Sequence, residues 1–277
     1  MSNVVVLIVT HNAPSALATC VRRVSAELTA GDRVLVVDNA SARPAVDVLA
    51  RQGLLGPSVA CLRLERNLGP AGGYARGLRA FLETGGDLVW ILDDDMWPDQ
   101  GALAVLRETV GRGDGIVAFP TVTDLSGGDW HHPAWCGVLI PREVVAHVGV
   151  PREEFVWWVE DTEYLQWRIP RAGYQVLRVD GARVSHGAVR RSRTKPAWKY
   201  YYETRNTIYF RFHVQLKGGE PACRIAQRVL RTVVRAVARI ATYEDDKAAK
   251  LHAVLLGLRD GASQNLGARF PLETTGQ

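Results

Sequence analysis

Val4-Val5-Val6-Leu7-Ile8-Val9 is an unbroken, β-branched apolar run that gives way at once to Thr10-His11-Asn12. A run this short and continuous predicts a fully buried strand. Pro14-Ser15 then opens a helical pattern predicted to reach about Leu28. The alternation repeats. Gly31-Asp32 turns the chain into Val34–Val37, which ends in Asp38-Asn39-Ala40-Ser41, and Val59–Leu64 ends in Glu65-Arg66-Asn67-Leu68-Gly69. Pro70–Gly73 leads into a helix near Tyr74–Glu83. Leu88-Val89-Trp90-Ile91-Leu92 then runs straight into Asp93-Asp94-Asp95, where Trp97-Pro98 is expected to stop the strand. Strands alternating with helices predict an α/β fold around a parallel, doubly wound sheet. Open sheets of this kind place ligands at the carboxyl ends of their strands. Here every strand leaves its polar cluster at that edge.

Composition changes this picture little. The chain has 277 residues, 47% hydrophobic and 23% charged, the make-up of a soluble globular protein with a substantial core. No apolar stretch reaches the roughly 18 residues of a membrane span. The Val4–Val9 run is too short for a signal-peptide core and lacks a basic start. Cys20, Cys61, Cys136 and Cys223 show no zinc or redox spacing, which predicts reduced thiols and a cytoplasmic place. A net charge of +5 points to an acidic partner, but the distribution of charge matters more than its total.

Three acids directly behind a buried strand are candidate ligands for a divalent cation. Side chains alternate across a strand, so Asp93 and Asp95 are expected to point one way and Asp94 the other. Gly69-Pro70-Ala71-Gly72-Gly73 before a helix reads either as a phosphate cradle or as plain turn chemistry. It is not the dinucleotide fingerprint, since its glycine spacing differs and it follows the third strand. A second acidic group, Glu160-Asp161-Thr162-Glu163, stands behind Phe155-Val156-Trp157-Trp158. Asp161 reads as a helix cap or as a general base. Trp157 and Trp158 read equally as core or as an exposed aromatic surface.

Thr10-His11-Asn12, Val37–Ser41, Arg66–Gly73 and Leu92–Asp95 together resemble family 2 glycosyltransferases, and most nearly the bacterial galactofuranosyltransferases and rhamnosyltransferases. The match spans about Val4 to Gly187. It implies a GT-A fold, a Rossmann-like sheet flanked by helices, and a nucleotide-sugar donor. It also implies that Asp38 contacts the nucleoside and that Asn67 and the glycines lie near the donor. Thr10, Asn12, Asp38, Asn39, Arg66, Asn67, Gly72, Gly73, Asp93 and Asp94 form the expected donor edge. Asp93 and Asp95 would hold the metal–diphosphate, with His186 as a third ligand for Mn²⁺ or Mg²⁺. Asp161 would be the base of a single, inverting displacement, and Trp157, Trp158 and Glu160 would meet the acceptor. His131-His132 read as acceptor-side or merely exposed.

Val176–Val179 and Val184–Gly187 are predicted as two strands about an Asp180-Gly181 turn. Arg190-Arg191-Ser192-Arg193-Thr194-Lys195 is a basic loop, either a lid or a solvated segment. Tyr202-Glu203-Thr204-Arg205-Asn206 resembles a Tyr-x-x-Arg-Asn segment of the same families, with a structural or a diphosphate-side role. The expected organisation is a catalytic domain over residues 1–215 and a helical extension over 216–277. In the extension, Arg224, Arg228, Arg231, Arg235 and Arg239 recur beside Ile225, Val229, Val233, Val237 and Ile240, which predicts an amphipathic helix over 222–240 with a basic face. That face fits a solvated surface, peripheral contact with an anionic inner membrane face, or an oligomer contact. Nucleic acid fits poorly, because no aromatic residues interleave with the arginines for base stacking. A sugar-phosphate nucleotidyltransferase and a non-catalytic nucleotide-sugar-binding module are the alternative functions. Donor sugar, acceptor and linkage stay open.

Overall fold

A computed structural model describes residues 2–123, 128–187 and 194–272. The described chain forms two compact units that do not follow chain order: residues 2–151 with 161–187, and residues 152–160 with 194–272.

The first unit is built on a nine-stranded sheet. Its strands are β1 (Val4–Thr10), β2 (Arg33–Asp38), β3 (Val59–Arg63), β4 (Leu88–Asp93), β5 (Met96–Pro98), β6 (Ile116–Thr123), β7 (Asp129–Trp130), β8 (Cys136–Pro141) and β9 (Gln175–His186). The order is β3-β2-β1-β4-β8-β6-β9-β5, with β7 beside β6. β3, β2, β1 and β4 pair in parallel, as the sequence predicts. The remainder is mixed: β8 runs antiparallel to β4 and β6, β5 antiparallel to β9, and β6 parallel to β9. The doubly wound expectation therefore holds for half the sheet. Every residue of β1 is buried, because helices cover both faces. One face packs under α1 (Pro14–Ser25) and α4 (Ala102–Val110), the other under α3 (Gly69–Glu83) and α5 (Arg142–Val148). The first helix stops at Ser25, short of Leu28.

Two other expectations change. The Gly-rich stretch is not a loop ahead of a helix: α3 begins at Gly69. A Cβ on Gly73 would lie 2.6 Å from a Val9 methyl, and one on Gly77 would lie 2.4 Å from a Leu7 methyl. Small residues let this helix lie close on β1. Likewise 175–186 is one strand, not two. Its register with β6 jumps from Pro120↔Val179 to Thr121↔Arg183, so Asp180–Ala182 form a bulge rather than a hairpin turn.

The second unit holds α8 (Ala197–Tyr209), α9 (Ala222–Tyr243) and α10 (Lys247–Ala262), with a π-helical turn over Phe210–Gln215. From Asp161 on, α6 (Glu160–Glu163), a π-helical turn at Tyr164–Arg168 and α7 (Ile169–Arg171) belong to the first unit. α2 is Ala45–Arg51. α10 packs on α8 through Gly257 and Gly261. A Cβ at Gly261 would come within 2.5 Å of the Arg205 carbonyl oxygen. Buried ion pairs stand beside the second unit's apolar core of Val156, Tyr200, Tyr201, Tyr202, Ile240, Ala253 and Val254. Glu244 accepts hydrogen bonds from Tyr200 Oη, Arg239 Nε, Lys250 Nζ and the Lys195 amide at 2.7–2.9 Å. Asp260 takes Tyr201 Oη at 2.8 Å and Arg269 Nη1 at 2.7 Å. No helix among the described residues is long and apolar enough to cross a membrane.

Candidate active site

The carboxyl ends of β1, β4 and β9 meet at one edge of the first unit, as adjacent pairing dictates. β4 ends at Asp93, and Asp94-Asp95 make a tight turn into β5, so Trp97-Pro98 continue the chain as a short strand rather than ending it. The alternation expected of Asp93 and Asp95 is lost at that turn, and the three carboxylates take three partners. Asp93 accepts a short hydrogen bond from Tyr74 Oη on α3. Asp94 accepts from Thr10 Oγ1 at 2.5 Å. Asp95 Oδ2 lies 3.4 Å from His186 Nε2. Met96 pairs with His186 across β5 and β9, which sets Asp95 beside that imidazole. Gly187 secures the same junction: its amide donates to the Asp95 carbonyl at 2.5 Å, and a Cβ there would strike the Trp97 ring at 2.7 Å. The structure thus brings together Asp95 and His186, while Asp93 turns toward Tyr74. Among the described residues no three His, Cys, Asp or Glu side chains close on one point at metal-ligand distance.

Asp161, in α6, adds a fourth carboxylate to this edge, and its charge acts on Asp93. Its Oδ1 accepts from the Thr162 amide at 2.6 Å, so Asp161 lies within the short helix and does not cap it. Desolvation and mutual repulsion dominate the electrostatics. Burial first, then the charge of Asp95, pushes Asp93 well above the carboxylate range. The same two causes push Asp94 up to about 7, against the Thr10 hydrogen bond that lowers it. Burial raises Asp161, partly offset by the Thr162 bonds. Carboxylates held this way favour a neutralising cation or a proton.

The other expected donor residues are mostly committed to the chain itself. Asp38 is buried and accepts from the Ser41 amide at 2.8 Å, the Ala45 amide at 2.9 Å and Arg63 Nη1 at 3.2 Å. It thus holds a turn and the start of α2. Asn39 bridges the Leu68 amide and the Gly69 carbonyl, both at 2.9 Å, and Asn67 Oδ1 accepts from the Gly69 amide. Asn12 takes a positive φ of 54° and accepts from the Ala42 amide. Arg66 is exposed, whereas Gly72 and Gly73 are buried in α3. Trp157, Trp158 and Glu160 belong to the second unit, where Trp158 is exposed and Glu160 buried. His131 lies against Arg178 Nη1, and His132 is exposed. Most of the basic loop, Arg190–Arg193, falls outside the described residues.

Sequence reasoning missed the aromatic floor. Trp135 stacks between Tyr74 at 4.7 Å and Tyr164 at 5.8 Å, and its carbonyl accepts the Asp93 amide at 2.9 Å. Tyr74 reads in sequence as one more core position of a helix, and no spacing links it to Asp93. The single hint was a tyrosine placed directly behind the helix glycines.

This geometry has counterparts. Residues 5–166, more than half of the chain, match the model of glycosyl transferase family 2. Galactofuranosyltransferase GlfT1 of Mycobacterium tuberculosis is 37% identical over 95 residues, which is 34% of this chain and 30% of that protein. The chain therefore matches under a third of that relative's length. Among solved structures, GalNAc-T7 with UDP, GalNAc and Mn²⁺ has a TM-score of 0.62 at 17% identity, over 76% of this chain and 47% of that one. Mannosyltransferase PcManGT from Pyrobaculum calidifontis, in complex with GDP-Man and Mn²⁺, has a TM-score of 0.61 at 16% identity, over 95% and 86% of the two chains. At such identities the likeness is one of fold, and the fold is GT-A. On the family match, the chain belongs to glycosyl transferase family 2.

Proposed function

We propose that this enzyme transfers a sugar, galactofuranose, rhamnose or a close relative, from a UDP- or dTDP-sugar to an acceptor hydroxyl with inversion. The observation that carries the reading is the gathering of Asp93, Asp94, Asp95 and Asp161 at one sheet edge, where desolvation, joined at Asp93 and Asp94 by like charge, holds three of them above their ordinary range. The donor set of two carboxylates and an imidazole fits a divalent cation, with Asp95 and His186 already paired and Asp93 adjoining. Bound Mn²⁺ or Mg²⁺ would neutralise the departing nucleoside diphosphate. Thr10 orients Asp94 on the donor side, and exposed Arg66 offers the diphosphate a cation. Asp38, Asn39 and Asn67 support that side from beneath by fixing the 67–69 loop. Asp161 takes the proton of the attacking hydroxyl. Thr162 occupies Oδ1, which assigns the proton to Oδ2. A carboxylate raised by burial is a stronger base than an ordinary one. Trp157, Trp158 and Glu160 supply the acceptor surface.

The helices after residue 215 serve, in this reading, as an attachment extension. Leu230, Val234 and Val237 are exposed on one arc of α9, with Arg224, Arg231 and Arg235 on another. That pattern suits an anionic lipid surface or a second copy of the chain.

The test is thermal stability against UDP, dTDP and their sugars, with and without Mn²⁺. A ligand that binds only the folded state raises the melting temperature. The expected result is a metal-dependent shift of several degrees that Asp95→Ala abolishes. No shift with any diphosphate in the presence of metal overturns the reading.

A further inference from the structure

The chain from Phe155 to Val159 is held in a conformation its residues disfavour. Val156, Trp158 and Val159 all have positive φ, at 65°, 74° and 75°. Two of the three are β-branched, for which the left-handed region is a genuine outlier. Val156 centres a γ-turn of the rarer sense, with ψ of −61° and the Trp157 amide donating to the Phe155 carbonyl at 2.6 Å. Such backbone persists only where its surroundings over-determine it.

Arg205 and Asn206 provide that surrounding. Both are fully buried. The Asn206 amide nitrogen lies 2.8 Å from the Phe155 carbonyl oxygen, 2.6 Å from that of Trp157 and 2.8 Å from that of Trp158. Its two hydrogens are shared among three acceptors. Arg205 donates to the carbonyls of Glu154 at 3.0 Å and Phe155 at 2.9 Å, and its Nε donates to Asn206 Oδ1 at 2.9 Å, which fixes the amide's orientation. The rings of Tyr201 and Tyr202 flank the guanidinium at 5.4 and 4.9 Å.

The loop so clamped presents tryptophans. Trp158 is 45% exposed, with Lys195 Nζ 5.5 Å from its ring centre. Trp157 meets Trp198 edge-on at 5.0 Å, and its buried indole N–H has no hydrogen-bond partner among the described residues. An exposed indole beside a spare donor suits a sugar ring with its hydroxyls.

We propose that Asn206, oriented by Arg205, is a positioning residue for the acceptor: it holds the Val156–Val159 backbone in its strained form and so aims Trp158. This rests on the acceptor role given above to Trp157 and Trp158. The full chain is compared with Asn206→Ala and with Val156→Gly, which frees the backbone without touching the clamp. Three quantities are read: UDP affinity with Mn²⁺ by calorimetry, steady-state kinetics with octyl rhamnoside and octyl galactofuranoside as acceptor probes, and acrylamide quenching of Trp158, taken as the difference from each protein's Trp158→Phe counterpart.

Asn206→Ala is expected to raise the acceptor KM at least tenfold and to change Trp158 quenching, with UDP affinity kept within twofold. Val156→Gly is expected to raise that KM several-fold with UDP affinity kept within twofold, and it decides the matter if Asn206→Ala does not fold. A folded variant with the parent's acceptor KM and quenching overturns the proposal. A parallel loss of UDP affinity also overturns it, by showing a merely structural role. Absence of UDP binding in the parent chain sinks the function reading instead, and the quenching difference then still tests the clamp.

Discussion

Asp94 and Glu244 are both carboxylates drawn out of water, yet one stands at about 7 and the other at about 2. Burial raises each. At Asp94 the neighbouring charge of Asp95 adds to that rise, and the hydrogen bonds from Thr10 and from the His11 and Asp94 backbone offset it only in part. At Glu244 the donors from Lys250, the Lys195 amide, Tyr200 and Arg239 outweigh burial. Glu244 sits among paired charges, whereas the acidic edge around Asp94 collects charges of one sign. A protein that needed only to fold would have no use for the second arrangement, since unpaired buried charge costs several kcal/mol. The difference separates an ionic core whose charges are matched from an acidic edge that favours a neutralising cation or a proton.

The widest separation should appear in Asp161→Asn. Loss of a general base lowers kcat by about 10² to 10⁴, while the melting temperature holds or rises because a desolvated charge is gone. A fall in both would erase the distinction between the two regions. Lys250→Met should behave in the opposite way. It leaves Glu244 without its closest cation and costs about 3–5 kcal/mol of stability, read from urea midpoints. Nucleoside diphosphate affinity should hold in whatever fraction remains folded.

The smallest effect is one of pH. Asp94 binds its proton more tightly folded than unfolded, so its contribution to stability is present below about pH 4 and is lost as pH rises to about 7. Glu244 has the reverse sign: its contribution is present above about pH 4.5 and is lost as pH falls toward 2. In metal-free buffer, Asp94→Asn should flatten the upper limb of the stability profile and Glu244→Gln the lower. If either substitution flattens the other limb, the two assignments are wrong.

What could be read in advance follows from range. β1, β2 and the Asp93 strand were legible because a both-faces-buried strand writes itself as consecutive apolar residues, and each polar cluster marks the strand's end. The mixed half was not, since β8 and β6 look alike whichever way they run. The Asp94-Asp95 turn hid the partners of the three aspartates, because alternation holds only while the chain stays extended. Asn206 showed the opposite limit. Its motif was visible, but its task depends on carbonyls about fifty positions earlier, which no local pattern encodes.

The acidic edge also has a consequence for sulfur chemistry. Burial, reinforced by Asp93, Asp94 and Asp95, raises the Cys20 thiol well above its usual range. Burial with Asp93, Asp161 and Asp95 does the same at Cys136. Only the thiolate attacks oxidants and alkylating agents. The carboxylates that make this edge attractive to a cation therefore keep its two nearest cysteines chemically silent, and of the four only Cys223, on α9, is exposed.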